Sequence, residues 1–193
     1  FSIPNAELLS VNNTFNWTAG TIAGLGTLRV AAGATATLSG ADKSLSVGTF
    51  ETLGTTRIDL NAGSKLTVNA GSNLFVETGG ILEFLGNNNT IDGGGIFGNG
   101  GTVRIAAANT GENTISTDVI NSAGGTWAAS TGRLNIAPAG AGSTFFDSTT
   151  ITGSGVYFTG GTVAFQDTIT PGASEVNGAL NLKKFYKDKA VTI

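Results

Sequence analysis

The side chains able to do chemistry in this sequence are few, and none is a histidine or a cysteine. That removes the commonest general base and all thiolate chemistry. Carboxylates and guanidinium groups remain. Asp59 and Glu83 would stack one above the other if the chain wound once in every three octads, with Arg57 and Lys65 close in sequence. A carboxylate pair at a fixed separation is the machinery of glycoside cleavage. The ordinary alternative is two solvated charges on the outer face of a sheet, and it is the favoured one. Arg29, Arg57, Arg104 and Arg133 share a T/G-x-R-[V/I/L] setting. They suit a basic stripe less well than scattered outward charges, because they fall in different coils and are balanced by acids. DGGGIFGNGG (92–101) has the glycine density of a calcium turn but lacks the aspartate at the required place. It also lacks the Lys-Ser/Thr of a phosphate loop.

Aromatic rings are the stronger binding candidates. Phe75 and Tyr157 fall at outward places, where an exposed ring can stack on a sugar or seal a protein contact. Trp17 and Trp127 are read as packed at the ends of faces or under loops, with Trp127 kept as a candidate contact. The candidate binding set is therefore Phe75, Tyr157, Trp127, Asp59 and Glu83. No catalytic residue, metal ligand or cofactor is implied.

The elements that must position these groups are written in residues 61–84, NAGSKLTV, NAGSNLFV, ETGGILEF. Each octad has glycine at its third place and apolar residues at its sixth and eighth. LGTTRIDL (53–60) extends the series backward, so the apolar pairs are Ile58/Leu60, Leu66/Val68, Leu74/Val76 and Leu82/Phe84. AGLGTLRV (23–30), GNGGTVRI (98–105) and ASTGRLNI (129–136) are further units, out of phase by short insertions. Apolar residues two apart fit a short strand with one buried face, and Gly, Asn and Ser before them are bend residues. One octad cannot bury its pair alone, so the chain must wind and stack. Three octads suit one coil of a three-sided right-handed parallel β-helix. On that spacing the chain makes roughly eight coils and a rod about 40 Å long. An antiparallel sandwich or barrel is the alternative, weakened because Asn-Gly hairpin signals occur only at Asn99-Gly100 and Asn177-Gly178.

Composition agrees. Thirty glycines and only 12% charged residues leave little for exposed helix faces, while 40% hydrophobic residues support a core. A net charge of −3 gives no footprint for nucleic acid. No apolar run approaches a membrane span, and FSIPNAELL opens without a basic signal region, as a mature form or excised segment would. An ice-binding face would need a rank of Thr-x-Thr in one register; Thr35-Ala36-Thr37 is the clean instance.

A longer repeat overlies the octads. GTLRVAAGAT (26–35) matches GTVRIAAANT (101–110), and TTRIDL (55–60) matches STGRLNI (130–136). Together they mark a unit of about 75 residues, around three coils. Residues 1–14 read as an irregular lead-in or cap, 15–177 as the β-helix, and 178–193 as a Lys-rich terminal strand or connection to a following module. The octad pattern is broken at LGNNNTIDGGGIFG (85–98).

NWTAGTIAGLGTLRVAAGATATLSG (16–40) and STTITGSGVYFTGGTVAF (148–165) resemble units of the repetitive β-helical passenger or stalk regions of bacterial surface adhesins, hemagglutinin-like or autotransporter-like. The resemblance covers most of 15–170 and rests on structural glycines and core aliphatics. It implies export, a cell-surface or secreted location, and a non-enzymatic rod contacting glycan or protein on a host or neighbouring cell. Open solenoid ends would allow head-to-tail self-association. The alternative is a polysaccharide-binding or polysaccharide-degrading β-helix protein.

Overall fold

The third-place glycine of each octad turns the chain. Ser64 N–H donates to Asn61 O at 2.8 Å, Ser72 N–H to Asn69 O at 2.9 Å and Gly80 N–H to Glu77 O at 2.8 Å. Gly63, Gly71 and Gly79 adopt φ of 82°, 81° and 83°. This is the left-handed second central position of a type II turn, which glycine enters without steric cost. Between these corners, Lys65–Val68, Asn73–Val76 and Ile81–Phe84 are strands. Three octads therefore carry the chain once round.

This is seen in a computed structural model, which describes residues 1–138, 143–145, 149–160, 163–165 and 169–171. The described residues form 24 short strands and no helix. They lie in three parallel sheets of eight strands each, every third strand joining the same sheet. The fold is an all-β parallel solenoid of about seven turns with three strands per coil. The sheets containing Lys65, Asn73 and Ile81 are called the first, second and third faces. Among the described residues, no helix is long and apolar enough to cross a membrane.

Alternation within each strand sends one set of side chains inward, and parallel pairing stacks them in columns about 4.8 Å apart. On the second face Leu28, Phe50, Leu74, Phe97 and Val119 are aligned and fully enclosed. On the third, Leu38, Ile58, Phe84 and Ile105 make a matching column. Enclosing each such side chain contributes about 1.5–3 kcal/mol. Leu9 belongs to the second-face column but stays 44% exposed, because the outer side of the first coil is uncovered in this chain.

Three sequence expectations change. Coils are not of constant length: the step from Leu8 to its partner Thr27 is shorter than three octads, whereas the step from Thr55 to Ile81 is longer. Corners absorb the difference, since a strand fixes register but a turn tolerates insertion. The long repeat is not a stack of whole coils. Thr27–Val30 is the fifth strand, on the second face, and Thr102–Ile105 the fifteenth, on the third. Ten strands are three coils and one further face, so the two copies do not lie above one another. Finally, the lead-in over 1–14 is part of a coil, because Ser2–Ile3, Leu8–Val11 and Thr14–Trp17 begin the three sheets. The segment 85–98 stays within the solenoid through strands Thr90–Asp92 and Ile96–Asn99. The Lys-rich tail, 178–193, lies outside the described residues.

Candidate functional site

Glu83 stands at an outward place on the third face, but its neighbours are not the expected ones. It is in register with Arg57 on one side and Arg104 on the other. Asp59 is in register with Ser39, two places further along its strand. The predicted Asp59–Glu83 stack does not exist, because that coil is longer than three octads. Instead the Arg104 guanidinium lies 2.7 Å from Glu83 Oε1 and Arg57 Nε lies 3.5 Å from Oε2. The Glu83 side chain is only 10% exposed beneath them. Glu83 is therefore engaged by two guanidiniums, and Asp59, the carboxylate expected beside it for shared acid and base roles, is not its neighbour.

The same pairing recurs elsewhere. Glu51 accepts from Arg29 Nε at 2.7 Å, and Asp92 Oδ2 from Lys65 Nζ at 2.9 Å. The hydrogen bond to Asp92 raises the Lys65 pKa above its ordinary value. Among the described residues no three acidic side chains converge. The four arginines split into pairs with acids on all three faces and form no continuous stripe.

Tyr157 lies on the first face in register with Asn135. The Arg133 guanidinium sits 4.1 Å from the centre of its ring. Arg133 Nε donates to Asn135 Oδ1 at 2.7 Å, and Asn135 Nδ2 donates to Glu112 Oε1 at 2.6 Å. One side of the tyrosine ring is therefore occupied by a charge network. Trp127 is removed from the surface altogether. It is fully buried, with its ring 6.0 Å from that of Phe97 and Nε1 donating to Asn121 Oδ1 at 2.7 Å. It points inward because it shares the inward parity of Val103, its partner in the preceding coil. As a contact residue it is corrected to a core residue. Trp17 is buried as well, and its Nε1 donates to Ala19 O.

Phe75, like Tyr157, is only partly covered. It faces outward on the second face, partly exposed, in register with Glu51 and Gly98. Its ring lies across Gly98: a Cβ added there would overlap the ring carbons. Gly98 pairs in turn with Ile120, which is 38% exposed. In the adjoining outward column Asn73, Ile96 and Asp118 are aligned. The face thus holds a small apolar patch, Phe75, Ile96 and Ile120, rimmed by Glu51, Asn73 and Asp118.

Two features went unnoticed in the sequence. Lys43 sits at a core position between Gly20 and Leu66 and is 2% exposed. Its ammonium turns to the corner and donates to Thr18 O, Ser39 O and Ala41 O at 2.9, 2.6 and 2.7 Å. Burial lowers its pKa from 10.5, with Asp42 opposing. The signal was parity, because Lys43 shares the inward places of Leu45 and Val47. The other feature is a rank of threonines. Thr14, Thr35, Thr55, Thr102, Thr126 and Thr150 occupy one outward column of the third face, broken only by Ile81. The parallel column reads Asn16, Thr37, Arg57, Glu83, Arg104, Ala128 and Thr152, so a double Thr-x-Thr rank is absent from its centre.

No protein-family model, curated protein or solved structure matches the chain at a significant level.

Proposed function

We propose that this chain is a non-enzymatic rod of a bacterial surface or secreted protein, an adhesin or stalk segment making many weak contacts with a glycan or protein partner. One observation carries the reading: three continuous parallel sheets hold outward side chains in columns at a fixed spacing of about 4.8 Å. Such a scaffold repeats a weak contact along its length, and linked weak contacts sum to high avidity without any single tight site. The engagement of Glu51, Glu83 and Asp92 by neighbouring bases supports contact over acid–base catalysis. End-to-end association of copies is a further way in which such a rod could be lengthened.

The test is adhesion of the purified chain, monomeric or clustered on beads, to bacterial and animal cell surfaces. Clustering should raise retention far more than in proportion to bead loading. Retention no better than uncoated beads overturns the reading. Release of reducing or unsaturated sugar ends from a polysaccharide panel would replace it with the runner-up, a glycan-degrading β-helix. Light scattering across a concentration series tests the stacking.

A further inference from the structure

We infer that the outward patch of Phe75, Ile96 and Ile120 on the second face is a subsite for a neutral pyranose. The inference deepens the adhesin reading by naming the chemistry of its partner, and it rests on that reading. The patch combines an aromatic ring with a polar rim. The ring lies across Gly98, whose missing side chain leaves room for it on the sheet. Ile120 stands on the far side of Gly98 and Ile96 in the adjoining column, so the ring is bordered by aliphatic carbon. Asn73, Glu51 and Asp118 surround it with amide and carboxylate groups.

That arrangement fits a sugar ring, which has an apolar face of C–H groups and an equatorial rim of hydroxyls. The C–H face meets the aromatic ring and the hydroxyls reach the amide and carboxylate oxygens. The size of the patch argues in the same direction. Three apolar side chains, of which Ile120 is 38% exposed, fall far short of the roughly 800 Å² per partner of a stable protein interface. The sign of the rim selects among sugars. The base aligned with the rim, Arg29, is already paired with Glu51 and so offers no free guanidinium to a sugar carboxylate, and the chain carries a net charge of −3. Uronic and sialic acids are therefore disfavoured and neutral hexoses favoured.

The experiment measures binding of the full chain to short oligomers of β-linked glucose, galactose and N-acetylglucosamine, with polyuronate oligomers as the acidic comparison. At least one neutral oligomer should bind. Phe75→Leu keeps an apolar cover over Gly98 but removes the aromatic face, and should weaken binding roughly tenfold. Gly98→Ala retains the aromatic ring and suits a backbone outside the left-handed region, but it displaces the ring and should weaken binding similarly. Far-ultraviolet circular dichroism confirms that each variant keeps its sheets. The subsite is overturned if no neutral oligomer binds, if only the polyuronates bind, or if both folded variants bind as the parent does. Cell adhesion by the parent chain without oligosaccharide binding removes the subsite and leaves the rod; loss of both removes both.

Discussion

Glu83 accepts a hydrogen bond from Arg104 Nε at 2.8 Å and faces Arg57 at 3.5 Å, with Asp59 displaced to the neighbouring column beside Ser39. An anion shared by two cations on consecutive strands neutralises a stretch of sheet that would otherwise repel itself. Glu83→Gln keeps the shape and removes the charge. It should cost about 1 kcal/mol in urea unfolding at low salt, and the cost should shrink in high salt as the two guanidiniums are screened. A cost independent of salt would show that the ion ladder is not its origin.

Lys43 should behave in the opposite way. Its ammonium satisfies three carbonyl oxygens at a buried corner, so Lys43→Met leaves those acceptors without their donor. The expected loss is about 2 kcal/mol. Because the corner is buried, the loss should stay the same in low and high salt. A strong salt dependence would place the effect in long-range charge instead.

Corner and contact glycines should separate cleanly. Gly71 has φ of 81° and open space where a side chain would go, so Gly71→Ala should cost about 1–2 kcal/mol from backbone strain alone. Gly80 has an ordinary φ, but an added Cβ would overlap the Thr52 carbonyl in the preceding coil. Gly80→Ala forces two coils apart and should destabilise more than Gly71→Ala. Chemical denaturation of the two variants side by side decides the order.

Lys65 supplies a pH signature. Its pKa is raised above 10.5 by the hydrogen bond to Asp92, so the folded chain holds this proton more tightly than the unfolded one. The pair's contribution is fully present below 10.5 and is lost as pH rises through the folded value. The stability difference between the parent and Lys65→Met should be constant from neutral pH to about that point and then fade. A difference that grew with alkalinity would contradict the assignment.

What could be read from sequence was local. Leu66, Val68, Leu74, Val76, Leu82 and Phe84 are all inside, and Phe75 is outside, because a period of two in a strand fixes which face each residue takes. What failed was long-range register. The octads of 61–84 are uninterrupted, so they suggested a coil of three octads, and the short insertions that put other units out of phase did not show which corner adds or drops residues. The Asp59–Glu83 pair was inferred from that constancy and is absent for that reason. The threonine rank was hidden by the same irregularity, since Thr14, Thr35, Thr55 and Thr102 are unevenly spaced in sequence and aligned only in space. Trp127 shows a different limit. Its place near the outward positions made it a contact candidate, but Asn121, also enclosed, provides the acceptor that lets its indole N–H be buried.

The repeat of ten strands carries a consequence for how such a chain grows. Ten is one more than a multiple of three, so duplicating the unit moves every motif onto the adjacent side of the prism. The strand TLRV of one copy and TVRI of the next look out in different directions. Tandem duplication of this unit therefore spreads a surface feature around the rod's circumference, and three copies must pass before a motif returns above its ancestor. A rod lengthened in this way would meet its surroundings with the same features from every side.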